Sequence, residues 1–448
     1  MNLNKQLLTC ILCIISLGLF AQEKTKPITL FTNVQVFDGT SDKLIKADVL
    51  VEGNLIKQIS KEPLMVMQTD NVSIIDGGGK TLMPGLTDAH THIMWTDDIE
   101  NLIYGAPEGW SGTLAAVNAG EMLQRGFTTI RDNGGPAFGL KKAIDENIIP
   151  GPRILPAGAF ISQTSGHGDY DQRMFYLSPH FTGQIDKAYI RGWTIIADGV
   201  PEVQKASRDV LRSGATHLKI FGSGSITGAH DPIDVTEYTY EELKAIADET
   251  KKWGTYAAIH AYSDEGIQNA IKAGIKSIEH GLFASEETMK MMKENDVWLS
   301  TQFFAFSLTP EEAGMKGEAV QKYLTAQEGA KKGYENAKKY GVKMSFGTDI
   351  LGSLELHRMQ NSEFTARSKY FTPYEILKQA TSQNAELFEL SGERHPYKEG
   401  KLGVIEEGAY ADILLVNGNP LEDISLLAAP DKNLSLIMKD GVIYKNSL

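Results

Sequence analysis

Two histidines separated by a single residue stand just past a short apolar segment. His90 and His92 lie in the sequence Gly85-Leu86-Thr87-Asp88-Ala89-His90-Thr91-His92. Residues i and i+2 of a β-strand point to the same face of the sheet. Both imidazoles would therefore project side by side from a strand end, as two ligands of one metal ion must. A His-x-His pair alone is a weak signal, so its meaning depends on what the rest of the chain adds to it.

Four further residues that could bind a metal or move a proton lie at the ends of predicted strands. They are Lys219 in His217-Leu218-Lys219-Ile220-Phe221, His260 after Ala257-Ala258-Ile259, His280 after Ile278-Glu279, and Asp349 after Phe346-Gly347-Thr348. Imidazoles and a carboxylate without thiolates indicate a catalytic site for Zn²⁺ or a similar ion. Taken singly, Asp349 could cap a helix and Lys219 could pair with a buried acid. Their joint placement favours one shared metal site.

The middle of the chain, 82–390, alternates short apolar strands with helix-length periodic segments. The predicted strands cover 82–86, 128–131, 153–157, 217–221, 256–259, 277–279, 297–301 and 343–346. Eight βα units over this length match a (β/α)₈ TIM barrel, whose catalytic groups lie at the carboxyl ends of the strands. Spacing alone leaves a doubly wound open sheet as the alternative.

Both ends of the chain are rich in short β-like pieces divided by turn residues such as Asp38-Gly39, Gly53-Asn54 and Asp440-Gly441. We therefore predict an α/β protein in which 22–81 and 391–448 together form a small β-sandwich. Residues 82–390 form the barrel.

The first 21 residues have the features of a signal peptide. Lys5 precedes an apolar stretch that is too short for a comfortable membrane span, and Ala21 suits a cleavage site. Both cysteines, Cys10 and Cys13, lie inside this segment, so the mature chain has no thiol. These features predict a secreted, periplasmic protein with no membrane attachment after cleavage. The alternative is an uncleaved membrane anchor.

The net charge of −13 argues against nucleic acid or an anionic membrane as a partner, because both require basic surface. The oligomeric state stays open, a homo-oligomer included.

The strand-end residues resemble those of the amidohydrolase superfamily, in its binuclear form with a lysine on strand 4. The resemblance covers nearly the whole mature chain. It implies that His90 and His92 bind the more buried metal and that N-carboxylated Lys219 bridges two ions. It also implies that His260 and His280 bind the second metal, while Asp349 binds the first and transfers protons.

Within that superfamily the chain is most similar to metal-dependent Xaa-Pro dipeptidases of the imidazolonepropionase-like branch. The segments that carry this likeness include Ser165-Gly166-His167-Gly168-Asp169 and Ile259-His260-Ala261-Tyr262. The resemblance implies that His167 and Tyr262 contact the substrate, and His167 could stabilise an oxyanion. Gly222-Ser223-Gly224-Ser225 stands where relatives tend to have a Gly-Gly pair, in a loop expected to border the substrate.

These features together predict a hydrolase that cleaves an amide next to a terminal carboxylate in a dipeptide or other small molecule. Two divalent ions, expected to be Zn²⁺, can share a bridging water and lower its pKa from about 15.7 toward about 7. Asp349 would take the proton of the bridging hydroxide and deliver it to the leaving nitrogen. A cyclic amide hydrolase or deaminase of the imidazolonepropionase type is the enzymatic alternative. A non-catalytic binding protein is a third hypothesis, although none of the six site residues is missing.

Overall fold

The computed structural model describes residues 26–170, 183, 185–226 and 231–448. The predicted signal peptide, 1–21, lies outside these residues, as do both cysteines. Within the described ranges, no helix combines the length and the apolar character that crossing a bilayer requires.

Strands from both ends of the chain form one mixed sheet. They are β1 (Ile28–Val36), β2 (Ile45–Glu52), β3 (Leu55–Ser60), β4 (Val72–Asp76) and β5 (Thr81–Pro84) from the N-terminal part, and β16 (Ile413–Val416), β17 (Leu434–Lys439) and β18 (Val442–Asn446) from the C-terminal part. Their hydrogen-bonded order is β18-β17-β16-β5-β1-β2-β3, with β4 paired to β1. The expected domain of strands from both termini is confirmed, and its strands join in one continuous sheet.

Eight parallel strands between these ends form the barrel. They are β6 (Leu86–Thr91), β7 (Phe127–Asp132), β8 (Arg153–Pro156), β11 (Leu218–Phe221), β12 (Ala257–Ala261), β13 (Ser277–His280), β14 (Trp298–Thr301) and β15 (Met344–Phe346). Two short strands, β9 (Phe160–Ser162) and β10 (Thr194–Ile196), follow β8, and β9 also pairs with β11. The Asp349 N–H donates to His90 O at 2.7 Å and links the end of β15 to β6. The (β/α)₈ prediction is confirmed.

The first barrel strand begins later than we expected. The segment predicted as one strand over 82–86 divides, because 81–84 pairs within the terminal sheet and the barrel strand starts at Leu86. Gly85 lies at the division, where an added Cβ would lie 2.1 Å from Thr128 Oγ1. Only glycine permits this close approach to the neighbouring strand. The domain limits at 81/82 and 390/391 stay a prediction.

Helices fill most of the connections between the strands. The α-helices are Trp110–Gln124, Phe138–Asp145, Lys187–Ile190, Val200–Arg212, Tyr240–Lys252, Asp264–Ala273, Glu286–Glu294, Glu318–Tyr340, Leu354–His357, Ser362–Arg367, Pro373–Lys378, Asn384–Phe388 and Pro430–Asn433. Single π turns cover Asn101–Gly105 and Gln379–Gln383, and 3₁₀ turns cover Glu389–Arg394 and Ile424–Ala428. The sequence marks several starts, since Thr239, Ser263 and Ser285 each accept an N–H of the first turn.

Strand β16 is buried on both faces and joins the terminal sheet to the barrel. Ile413 and Leu415 pack into the core of the sheet, whereas Leu414 and Val416 pack into the core of the barrel. Full burial of such an aliphatic side chain contributes about 1.5–3 kcal/mol. The uninterrupted apolar run is therefore explained by a strand that has no solvent-facing side.

Candidate active site

Three of the predicted ligands form a compact group at the carboxyl ends of β6 and β15. Asp349 Oδ1 lies 3.3 Å from His90 Nε2 and 3.1 Å from His92 Nε2. One ligand atom from each of these residues lies within 4.8 Å of the others. His92 Nδ1 is also buried and has no hydrogen-bond partner in the described part of the chain. Two imidazoles and a carboxylate around one point are a donor set that fits a divalent metal ion.

The other three predicted ligands lie beside this group. Lys219 Nζ is 3.4 Å from His90 Nε2. The ring centroids of His260 and His280 are 4.5 Å apart, and those of His90 and His280 are 5.2 Å apart. His280 Nδ1 is 3.8 Å from Asp349 Oδ2. The barrel thus brings together all six residues selected from the sequence.

The buried environment sets the charge of these groups. Burial lowers the pKa of His90 to about 4 and that of His280 to about 3, although Asp349 opposes both shifts. Burial also lowers the pKa of Lys219 to about 8. For Asp349, burial raises the pKa, but the surrounding histidines outweigh it and hold the carboxyl below its ordinary value. Neutral imidazoles and an ionised carboxylate are the forms that bind metals.

Two hydrogen bonds orient the histidine rings from behind. His90 Nδ1 lies 2.7 Å from Glu279 Oε2, and His280 Nδ1 lies 2.7 Å from Gln302 Oε1. Each bond occupies Nδ1 and leaves Nε2 as the nitrogen that can bind a metal. We did not single out Glu279 or Gln302 from the sequence. A charged residue inside the buried strand Ser277-Ile278-Glu279-His280 was a usable signal, because a fully buried glutamate requires a partner.

That partner is Arg131, the residue before the last of β7. Its Nη2 donates to Glu279 Oε1 at 2.8 Å, and both side chains are fully buried. Burial raises the pKa of Glu279, but Arg131 outweighs it and holds the pKa well below its usual range. Asn133 and His217 continue this buried polar layer, with His217 Nε2 donating to Asn133 Oδ1 at 2.8 Å.

Another buried carboxylate, Asp88, links strand β6, which carries His90, to the turn that carries Asp349. Its Oδ1 accepts the N–H groups of His90 at 3.0 Å and Thr348 at 3.1 Å. Its Oδ2 accepts the Thr348 hydroxyl at 2.6 Å and Gln360 Nε2 at 2.9 Å. This one side chain therefore sets the distance between β6 and the turn that carries Asp349.

Two of the predicted ligands have left-handed backbone conformations. His280 has φ of 72° and Asp349 has φ of 52°, values that non-glycine residues adopt uncommonly. Such strain persists only where the surrounding contacts impose it, and it concentrates at functional sites. The bond from Asp349 N–H to His90 O is one such contact.

His167 and Tyr262 lie at the rim, beside His260. The His167 ring stacks on His260 with centroids 4.8 Å apart, and the Tyr262 ring lies 4.5 Å from His260 and 5.3 Å from His280. The loop at 222–225 also reaches this rim. There the Ser223 Oγ accepts the Tyr262 N–H at 2.7 Å, and Ser225 lines the cavity.

A cavity of about 350 Å³ opens above these residues. Its floor holds all six predicted ligands with His167 and Tyr262, and much of its wall is apolar. Two wall groups are Trp95, Phe160, Tyr170 and Phe221 on one side, and Phe304, Phe306, Leu308, Met315 and Tyr323 from the segments after β14. In the second group the Tyr323 hydroxyl does not face the cavity as a free donor, because it donates to Ala305 O at 2.5 Å. The cavity therefore joins a polar floor, which could hold a metal ion, to an apolar wall.

This fold, with a His-His-Asp group that could hold a metal ion, is typical of an amidohydrolase. Residues 81–444 match the amidohydrolase family, and the chain belongs to that family. It is accordingly an enzyme that hydrolyses carbon–nitrogen bonds.

Three known proteins of this class are similar to the chain over most of its length. Ochratoxinase of Aspergillus niger is 33% identical over 383 residues, which cover 81% of this chain and 75% of the relative. A prolidase crystallised with N-methylphosphonate-L-proline is 32% identical, with a TM-score of 0.85 over 94% of this chain and 100% of its own. A Xaa-Pro dipeptidase with bound methionine is 29% identical, with a TM-score of 0.80 over 94% and 100%. The chain is therefore similar to prolidase-like and ochratoxinase-like amidohydrolases over almost all of its length.

Proposed function

We propose that the protein hydrolyses an amide bond next to a terminal carboxylate, as an Xaa-Pro-type dipeptidase or an N-acyl amino acid amidase. The observation that carries this proposal is the convergence of His90, His92, Lys219, His260, His280 and Asp349 on one cavity floor. The similarity to a prolidase, a Xaa-Pro dipeptidase and ochratoxinase supports the same bond type. The substrate is a dipeptide or another small molecule that fits the cavity.

The site holds two divalent ions in this proposal, and Zn²⁺ suits the nitrogen and oxygen donors. His90, His92 and Asp349 hold the first ion, and His260 and His280 hold the second. Bound zinc supplies a water that is activated at neutral pH.

Lys219 is N-carboxylated in this proposal, by addition of CO₂ to its neutral amine with loss of a proton, and its carbamate would help to hold both ions. Its side chain is only 1% exposed, and no carboxylate of the described residues lies within ion-pair distance. Burial makes the charged form of this lysine costly, although the more distant carboxylates of Glu279 and Asp349 favour it. Conversion to a carbamate shared between two cations removes that cost.

Asp349 takes a proton from the attacking water and delivers it to the leaving nitrogen. Its Oδ1 faces His90 and His92, whereas its Oδ2 is directed toward His280. A carboxylate between the His90–His92 pair and His280 can therefore reach both the water and the scissile bond. An amide nitrogen requires this proton because it leaves poorly as an anion.

His167 and Tyr262 contact the substrate at the rim. Both side chains line the cavity above His260, so a scissile carbonyl on the floor would lie within their reach. His167 would stabilise the developing oxyanion through Nε2–H when its ring carries both protons.

The test is hydrolysis by the zinc-loaded protein of a library of Xaa-Pro and Xaa-Arg dipeptides and N-acyl amino acids. We expect turnover of several members and no turnover by metal-free protein. A library with no hydrolysed member would overturn the proposal.

A cyclic amide hydrolase or deaminase with a single metal is the second candidate. One observation favours it, because His90, His92 and Asp349 form a three-ligand group without the other residues. Metal analysis separates the two, since one tightly bound ion per chain supports this candidate and two ions support the dipeptidase.

We also propose that residues 1–21 are removed on export to the periplasm. The mature enzyme would then consist of the barrel and the domain formed by 22–81 and 391–448. Sequencing the N-terminus of the protein from a periplasmic extract tests this, with Gln22 as the expected first residue.

A further inference from the structure

The ring of His167 is held by an acid outside the predicted ligand set. Asp231 Oδ2 lies 3.0 Å from His167 Nδ1 and also accepts the Ser225 N–H at 2.8 Å. Burial raises the pKa of Asp231, but the His167 bond and the other hydrogen bonds outweigh it and keep the carboxyl below its ordinary value. An ionised carboxylate can only accept, so the shared proton belongs to His167 Nδ1.

The remaining contacts fix the direction of the ring. One face stacks on His260 with an interplanar angle of 29°, and an edge contact with Phe221 lies at 4.8 Å. The His167 N–H donates to Glu237 Oε1 at 2.8 Å, which fixes the backbone as well. Two carboxyl groups from the segment after β11 therefore hold a residue of the loop after β9.

The second ring nitrogen has no such partner. No described residue forms a hydrogen bond with His167 Nε2, and the ring lines the cavity with its side chain 19% exposed. With Nδ1 protonated, Nε2 of the neutral ring is a bare acceptor, and it becomes a donor when the ring is protonated. It is thus the ring atom available to a substrate.

We infer that Asp231 is a positioning residue for catalysis, which fixes the tautomer and orientation of His167 so that Nε2 meets the scissile amide. The inference rests on the proposed function, because it requires an amide on the cavity floor. The carboxylate acts only through His167 and does not touch the substrate. An acid that holds a catalytic histidine in one tautomer plays the same part in the Ser-His-Asp triad.

A double-mutant cycle on the zinc-loaded enzyme tests this coupling. We expect Asp231→Asn to lower kcat on the order of 10–100-fold, as is typical when an orienting partner is lost, with KM and zinc content nearly unchanged. In a His167→Ala background the same change should have no further effect. Equal losses in both backgrounds would show that Asp231 does not act through His167.

The matched control is Asp198→Asn. Asp198 fixes the same loop through the Thr164 N–H at 3.0 Å and the Thr164 hydroxyl at 2.6 Å, but it does not contact the His167 ring. We expect it to leave kcat unchanged. If it lowers kcat as much as Asp231→Asn does, the role of Asp231 is only to hold the loop.

Nitrogen-15 NMR of the imidazoles tests the tautomer without relying on turnover. The His167 signals are assigned by their loss in His167→Ala, and wild type should show a proton on Nδ1 and none on Nε2. Asp231→Asn should shift this population toward the other tautomer. A neutral ring in wild type with its proton on Nε2 and none on Nδ1 would overturn the inference. Failure of the whole amide library, with the expected signals present, would instead count against the proposed function.

Discussion

His90 and Glu279 are joined by a 2.7 Å contact between Nδ1 and Oε2, and Arg131 binds the same carboxylate from behind. The three side chains are fully buried. A predicted metal ligand is therefore oriented by an ion pair that never meets solvent.

We expect Glu279→Gln to weaken zinc binding about 10- to 100-fold, because the amide is a poorer acceptor for His90 Nδ1–H. Competition with a chromophoric chelator measures this. The matched control is Glu363→Gln, which breaks another fully buried pair with Arg367 but touches none of the predicted ligands. Both variants should melt at a lower temperature, and only the first should lose zinc affinity. Equal zinc affinity in the two would contradict the orienting role.

Replacing Asp349 by Asn should lower kcat by at least about 100-fold while sparing the fold, since the amide cannot carry the proton. Steady-state kinetics and thermal melting measure the two effects. Asp296→Asn is the control, because Asp296 has the same φ of 52° on the surface and tests the backbone effect alone. Unchanged turnover in the Asp349 variant would remove this residue from the mechanism.

Lys219→Ala should lower the zinc content from two ions to one per chain, because the bridging carbamate is lost. Native mass spectrometry of the wild type should show one added CO₂ that disappears in the variant. Lys141→Ala, a lysine on the helix Phe138–Asp145, is the control and should retain both ions. Two tightly bound ions in the Lys219 variant would show that the lysine does not bridge them.

Stability should fall with rising pH through Glu237, whose pKa is raised to about 8 by burial. Between about 4.3, the unfolded value, and about 8, the folded protein binds more protons than the unfolded chain, so each pH unit costs at most about 1.4 kcal/mol. Glu237→Gln removes this dependence, and its stability relative to wild type should improve from pH 5 to pH 9. Urea unfolding across that range measures it. As the control, the exposed Glu241→Gln should show the same change of unfolding free energy with pH as wild type. The prediction would be contradicted if Glu237→Gln also showed the wild-type change.

The apolar wall should favour substrates with a bulky apolar group. We expect Met315→Asp to lower kcat/KM about 10- to 100-fold for such amides and to change little for the smallest ones. The control is Met65→Asp, at a side chain that is 93% exposed and outside the cavity. An equal loss for large and small substrates would show that the wall does not select size.

Much of the fold follows from local sequence pattern. The runs that became β7, β11 and β14 are short segments rich in β-branched and apolar residues, and their limits were predicted within one residue. The first barrel strand was misplaced because Pro84-Gly85, a local sign of a break in the chain, was taken as part of one strand. That division depends on the pairing of β5 with β16, more than three hundred residues later.

The predicted ligands were found because each lies in or just after a barrel strand, and a barrel gathers such residues at one end. Glu279 and Asp231 were missed because their roles arise from partners distant in sequence, Arg131 and His167. A carboxylate in a strand or loop has no spacing that reveals which ring it will orient. Local pattern therefore predicts which groups do the chemistry better than it predicts what holds them in place.

The burial of β16 on both faces has a consequence for the order in which the chain acquires its structure. During synthesis β5 emerges first, and β16, the strand that covers its edge, follows more than three hundred residues later. Until then, the barrel surface that receives Leu414 and Val416 is also open. The nascent protein should therefore stay incompletely folded until β16 has been synthesised.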